Sequence, residues 1–318
     1  MPMNTNERLL IQDICRGHMR AIPYRTRALL EQNTTLKDAA FCKEMLALLD
    51  ERANNVTKLP SEVEGLLEAK DSAEFPINRF ILREGEAAIA EKVLSIYRVA
   101  EKLAAKKIHY TPAVLLHGQS GCGKTELAQY IAYKAGLPFV YVRFSNLVNS
   151  YLGSTQTNLS KIFNYVKANA CVLCFDELDA IGTTRGQKDD VGEMNRIVIA
   201  LMQELDRLSN DTIVIGTTNR FDKIDPALVR RFHIQYEAKP LILDEAVEMA
   251  HKFFRFAEVE NDIPEQWYLK FLDACDPEKS NSTVLASTVV SLCTDAVVQL
   301  LVAQDGDGTP VSEGTVIV

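Results

Sequence analysis

Short apolar runs alternate with amphipathic stretches through the middle of this chain, and that alternation is its strongest structural signal. Residues 113–117, 139–142, 170–175 and 212–217 are compact apolar blocks, mostly rich in Val, Ile and Tyr. Blocks of this length, bounded by polar residues, read as buried strands. Between them, residues 126–135, 158–168 and 194–208 form helix-forming stretches. Alternation of this kind predicts an α/β fold, a parallel sheet flanked by helices. Residues 85–107 predict a long helix leading into the first of these strands. From 243 to 303 the pattern is helical only, which predicts a small C-terminal α-helical domain.

The first part of the chain follows a different pattern. Residues 6–70 read as helical, with Phe41, Met45, Leu46, Leu48 and Leu49 at helical spacing and Pro23 and Pro60 as punctuation. Residues 71–78 read as a linker. The expected organisation is a helical N-terminal region for partner recognition (1–75), a large α/β domain (76–240), a small helical lid domain (241–304) and a turn-rich tail (305–318).

Composition narrows the function classes. At 318 residues with a formal charge of −8, the chain argues against a wholesale nucleic-acid coat. One local exception is Arg8, Arg16, Arg20, Arg25 and Arg27, set against Glu7 and Asp13 in the first thirty residues. That bias reads as a solvated helix face, or as a docking site for an acidic partner or nucleic acid. No apolar run approaches the roughly 20 residues of a membrane span, and no signal-peptide core is visible, so no span is expected. Seven cysteines without framework spacing suit a reducing cytoplasm. Cys171 and Cys174 form a CxxC inside a strand block, where side chains three apart face opposite ways. They read as buried thiols, not as metal ligands.

Candidate chemistry sits at the strand ends. Gly118-Gln119-Ser120-Gly121-Cys122-Gly123-Lys124-Thr125 is a phosphate-binding P-loop placed between a strand and a helix. Glycines let backbone N–H groups wrap a phosphate, and the helix N-terminus adds its positive dipole end. Gly118, Ser120, Gly121, Cys122, Gly123, Lys124, Thr125 and Glu126 are therefore the candidate ATP contacts. Lys124 can reach the β- and γ-phosphates, and the Thr125 hydroxyl can bind Mg²⁺. A later strand ends in Asp176 and Glu177. A carboxylate at a strand's end beside a P-loop can hold Mg²⁺, so Asp176 is the second metal and nucleotide residue and Glu177 the candidate general base. A third strand runs into Thr217-Thr218-Asn219, placing Asn219 to orient water. Asp225-Pro226-Ala227-Leu228-Val229-Arg230-Arg231-Phe232 follows, whose adjacent arginines suit phosphate recognition.

Taken in this order, the four motifs resemble an AAA+ ATPase of the classical AAA clade, a protein-remodelling family. The resemblance runs over about residues 80–303. It implies a homo-oligomeric ring, usually a hexamer, with ATP at subunit interfaces. It also implies that Arg230 and Arg231 act as arginine fingers on a neighbour's γ-phosphate and that Asn219 is the first sensor. Tyr151-Leu152-Gly153 matches the family's pore loop, implying that Tyr151 grips a polypeptide substrate, and residues 183–192 would form a second pore loop. Gln119-Ser120 stands where this clade often has two prolines, Cys122 where threonine is usual, and Leu205-Asp206-Arg207-Leu208 where many members have Asp–Gly–Phe. The function this implies is an ATP-driven motor that pulls a protein substrate through a central pore. The alternative is a nucleic-acid-associated loader or regulator, supported by the N-terminal arginines.

Overall fold

The computed structural model describes residues 7–8, 10–11, 26–27, 29–31, 38–56, 59–143, 147, 154–181, 190–210, 212–275 and 284–305. In chain order its main elements are α1 (Ala39–Val56), β1 (Leu67–Lys70), α2 (Glu84–Arg98), α3 (Ala100–Ala105), β2 (Ala113–His117), α4 (Lys124–Ala135) and β3 (Phe139–Val142). There follow α5 (Ser154–Ala168), β4 (Val172–Phe175), α6 (Asp190–Asp206), β5 (Ile213–Thr218), α7 (Pro226–Val229) and β6 (Ile234–Glu237). Three helices close the described chain: α8 (Leu243–Phe256), α9 (Glu265–Cys275) and α10 (Ala286–Asp305). The six strands form one sheet in the order β1-β3-β4-β5-β2-β6. The order is not sequential, as expected when helices carry the chain from strand to strand.

The chain divides into two compact units, the first comprising residues 1–75, 89–116 and 125–236. In this unit β3, β4 and β5 run parallel, in a register that pairs Phe139 with Val172 and Phe175 with Gly216. Alternate residues Leu115, Val140, Leu173 and Val214 belong to one core cluster. Leu159, Ile162, Phe163 and Val166 of α5 join that cluster at helical spacing, as do Ile197, Leu201 and Leu205 of α6. The intervening strand residues Val114, Val172, Ile213 and Ile215 are also wholly buried. Burial of successive residues means that both faces of the sheet are covered, which explains the near-continuous apolar blocks.

The second unit comprises residues 76–88, 117–124 and 237–318. Its core is built by Ala246, Met249, Ala250 and Phe254 of α8, Phe271 and Cys275 of α9, and Val289, Cys293 and Ala296 of α10. Trp267 packs edge-on against Phe254 at 4.8 Å and stacks on Phe271 at 4.9 Å. Burial in this core pushes the Cys275 thiol up to about 11 and the Cys293 thiol up to about 12. At the front of the unit, Arg83 bonds the Glu86 carboxylate and donates to the Lys239 carbonyl at 2.6 Å. That buried pair ties the segment before α2 to the chain entering α8.

Three expectations change. Residues 67–70, read as helical, form β1, which pairs antiparallel with β3 through Leu67–Val142 and Lys70–Phe139. A four-residue strand has little signal of its own, and pairing with an existing sheet edge decides its state. The helix expected over 85–107 breaks at Val99, so it becomes α2 and α3. The third concerns membrane spans. In α10, residues Ala286–Ala303 are long and apolar enough to cross a membrane by length and composition. Ser287, Thr288, Ser291, Thr294, Asp295 and Gln299 interrupt the apolar positions, so the stretch holds no long unbroken apolar run. Its buried positions 286, 289, 293 and 296 have the spacing of a core-facing stripe.

Candidate functional site

The P-loop leaves β2 at His117 and enters α4 at Lys124. Gly118, Gly121 and Gly123 all have positive φ, at 137°, 83° and 84°. These are backbone conformations that side chains disfavour, so the glycine spacing is a requirement of the turn. Gly118 is further constrained, since a Cβ there would lie 2.3 Å from the Ala238 carbonyl oxygen. The chain runs close at this point because the Ala238 N–H donates to the His117 carbonyl at 2.7 Å. On the other side of the loop, Ser287 N–H donates to the Gly121 carbonyl at 3.1 Å. Lys124, buried at 7 % exposure, donates to the Gly118 and Gln119 carbonyls, each at 2.9 Å. Its ammonium is thus held at the mouth of the loop. Cys122 is also buried, and burial raises its thiol while Lys124 and Arg83 pull the other way. Burial likewise lowers His117, opposed by Glu237 and reinforced by Lys124.

Thr125 is the next residue, and with it begins the acidic side of the constellation, within the first unit. Its hydroxyl lies 3.3 and 3.4 Å from the two oxygens of Asp176. Thr217 at the end of β5 hydrogen-bonds the same carboxylate, and the Glu177 N–H donates to the Thr217 hydroxyl at 3.2 Å. The parallel register that pairs Phe175 with Gly216 sets Thr217 beside Asp176. Glu177 is exposed and sits at φ 55°, a left-handed conformation for a residue with a side chain. Such a conformation costs about 1 kcal/mol or more and persists where the surroundings hold it. Asn219 follows one residue after β5, and its N–H donates to Asp179 at 3.4 Å. Thr218 donates to the same Asp179 oxygen at 2.7 Å. The structure therefore brings Thr125, Asp176 and Glu177 together, with Asn219 on the adjoining strand end.

Arg230 and Arg231 stand elsewhere in that unit, beside a cleft of about 350 Å³ lined also by His109, Thr111, Ala113, Leu205, Asp206 and His233. None of Asp176, Glu177 or Asn219 lines it. The arginines differ in state. Arg231 donates to Asp206 at 3.2 and 3.1 Å and to the Ala227 carbonyl at 2.8 Å, whereas Arg230 is exposed. The short helix α7 that precedes them is capped by Asp225, whose carboxylate accepts the Ala227 N–H at 2.7 Å. Phe232, 1 % exposed, anchors the other end. His233 stacks on Tyr110 with ring centres 4.9 Å apart.

Tyr151, Leu152 and Gly153 lie outside the described residues, as do residues 183–189 of the second pore-loop candidate, 183–192. Cys171 and Cys174 are both buried free thiols, and burial pushes Cys174 well above the usual thiol value. Among the described residues no cluster of three metal-ligating side chains of the His/Cys/Asp/Glu kind occurs. Sequence reasoning missed the hydroxyl of Thr217 and the carboxylate of Asp179, and it named Asp206 only within a departure from the family pattern, not as a partner of Arg231. Two threonines closing an apolar strand were the available signal for the first.

A glycine-shaped loop between strand and helix, a buried Lys124, and Thr125 facing a strand-end aspartate define a P-loop nucleoside triphosphatase. Comparison with known proteins places it further. Residues 114–240 match the model of the ATPase family associated with various cellular activities (AAA). Over 199 residues the chain is 35 % identical to the peroxisomal ATPase PEX6 of Rattus norvegicus, covering 59 % of this chain and 19 % of that protein. It is 32 % identical over 155 residues to the uncharacterized AAA family ATPase y4kL of Sinorhizobium fredii, covering 49 % of this chain and 47 % of that one. The chain thus spans about a fifth of the length of the PEX6 relatives it matches. A chain in the structure of the E. coli MS115-1 HORMA:CdnC:Trip13 complex shares the fold, with a TM-score of 0.58 and 18 % identity over 80 % of this chain and 99 % of that one. Residues 114–240 thus form an AAA ATPase domain, and ATP hydrolysis is the activity of that domain.

Proposed function

We propose that this chain assembles into a ring, with the hexamer as the expected count, and uses ATP hydrolysis to pull a protein substrate through the central pore. The observation that carries this reading is the cleft holding Arg230 and Arg231. Its lining is free of Asp176, Glu177 and Asn219, so the arginines suit a nucleotide held by a neighbouring copy. Similarity to PEX6 within the ATPase domain supports the same class of work.

The residues fit a divalent cation as well as a nucleotide. Thr125 and Asp176 offer hard oxygen ligands 3.3 Å apart. Thr125 and Asp176 would hold Mg²⁺ there, and its positive charge would offset the negative charge of the phosphates. Gly118 to Gly123 would offer backbone N–H groups to the phosphates, and the Lys124 ammonium would exchange its loop carbonyls for phosphate oxygens. Glu177, exposed at the end of its strand, would take the proton of the attacking water. Asn219 would orient that water. Arg230 and Arg231 would stabilise charge on the neighbour's γ-phosphate, which makes hydrolysis depend on assembly. Tyr151 would grip the substrate. The cytoplasm is the compartment in which this reading places the motor.

The test is a trap. Glu177→Gln should bind ATP without hydrolysing it and hold the ring on its client, which is then isolated with ATP and identified. An enriched protein that disappears when Tyr151→Ala is added supports threading. Nucleic acid in its place, indifferent to Tyr151→Ala, would replace this reading with the loader.

A further inference from the structure

The hydroxyl of Thr217 has one proton and two partners, and their chemistry leaves a single arrangement. A carboxylate oxygen of Asp176 accepts from Thr217, while the Glu177 N–H must donate to it, at 3.2 Å. The Thr217 O–H therefore points at Asp176, and its lone pair receives Glu177. Thr217 is 1 % exposed, so no water competes for these bonds. One side chain on β5 thus connects the two acidic residues at the end of β4. It also meets the backbone where Glu177 is held at φ 55°. Thr125 reaches the same carboxylate from α4, so Asp176 is gripped by two hydroxyls from two elements. Its neighbour Thr218 grips Asp179 in the same manner, at 2.7 Å. The end of β5 is thereby fastened to the turn after β4 at two successive residues.

We infer that Thr217 is a positioning residue for ATP hydrolysis. Its hydroxyl fixes the metal-facing carboxylate of Asp176 and the backbone of Glu177 in one relation, so that cation and attacking water are presented together. A methyl in place of the hydroxyl would fill the same volume but leave Glu177 N–H and one Asp176 oxygen without this partner. The inference rests on the reading of Asp176 and Glu177 as the metal and base residues.

The experiment compares wild type, Thr217→Val, Thr217→Ser and Glu177→Gln in the full chain. It measures kcat and KM for ATP, the affinity for a fluorescent ATP analogue without metal, and the Mg²⁺ concentration that half-saturates the analogue's response. Thr217→Val should lower kcat about 10- to 100-fold with KM within about threefold. It should raise the Mg²⁺ half-saturation several-fold and leave metal-free analogue binding unchanged. Thr217→Ser, which keeps the hydroxyl, should restore both kcat and the Mg²⁺ response to within about threefold of wild type. If Thr217→Val does not fold, Thr217→Cys, a weak hydrogen-bonder of similar shape, takes its place with the same expectations. A dead Glu177→Gln beside a Thr217→Val of wild-type kcat and Mg²⁺ response would overturn the positioning role alone. So would equal losses in the Ser and Val variants, since packing and not the hydroxyl would then matter. A Glu177→Gln that hydrolyses ATP at the wild-type rate would overturn the underlying assignment, and this inference with it.

Discussion

Gly118 shows how much one missing side chain can decide. Its φ of 137° and the Ala238 carbonyl oxygen, 2.3 Å from where a Cβ would sit, exclude any substitution without a backbone shift. Gly65 is the natural control, because its φ is 81° but nothing lies within 4 Å of an added Cβ. Gly65→Ala should therefore cost the conformational strain alone, about 1–2 kcal/mol. Gly118→Ala should cost measurably more and weaken ATP binding as well, since the loop must move to make room. Denaturant melts with nucleotide titrations check both. Equal losses in the two variants would mean that crowding by Ala238 is not what selects glycine. The spacing of the loop glycines was legible in sequence because a motif records backbone requirements directly. That Ala238 presses on Gly118 was not, because the two are far apart in the chain.

At the level of elements, α7 and the residue pair that follows it carry the argument. Arg230 and Arg231 are indistinguishable in sequence, yet one is exposed and the other makes three hydrogen bonds to Asp206 and Ala227. Arg231→Ala should lower stability by up to about 1 kcal/mol, the scale of a partly exposed ion pair with one added carbonyl bond. Arg230→Ala should leave the melting curve unchanged while lowering ATP hydrolysis. A melt shifted equally by both substitutions would show that the pairing seen here contributes nothing in solution. Asp206 is the acid that sequence comparison could not assign, since it follows Leu205 where the family pattern departs. Its partner lies 25 residues on, and only the packing of α6 beside α7 brings them together. Gly216 is part of the same device, for a Cβ there would meet Leu178 at 2.4 Å and Phe232 at 2.9 Å. The absence of a side chain on β5 admits Phe232, and Phe232 anchors the arginines.

The whole molecule is proposed to work only as an assembly, and that has a direct consequence. Glu177→Gln subunits keep their arginines, and subunits carrying Arg230→Ala with Arg231→Ala keep their Glu177. Each variant alone should hydrolyse ATP poorly, at a few per cent of wild type or less. A mixture should recover a substantial fraction of the activity, because some interfaces then combine a good base with good arginines. Steady-state ATPase assays across mixing ratios make the measurement. Activity that merely averages the two parents would mean that the arginines serve their own subunit's nucleotide.

The sequence by itself determined the strand–helix alternation, the P-loop and the order in which Asp176, Glu177, Asn219 and the arginine pair appear. These are local properties: a buried strand needs a continuous apolar block, and a phosphate loop needs glycine where φ is positive. Tertiary structure alone decided that residues 67–70 become an edge strand, that Thr217 joins Asp176 to Glu177, and that Arg231 but not Arg230 is held by Asp206. Each of these is a partnership between residues distant in the chain. Its energy exists only once sheet register and helix packing have brought the two together, so no pattern along the chain could record it.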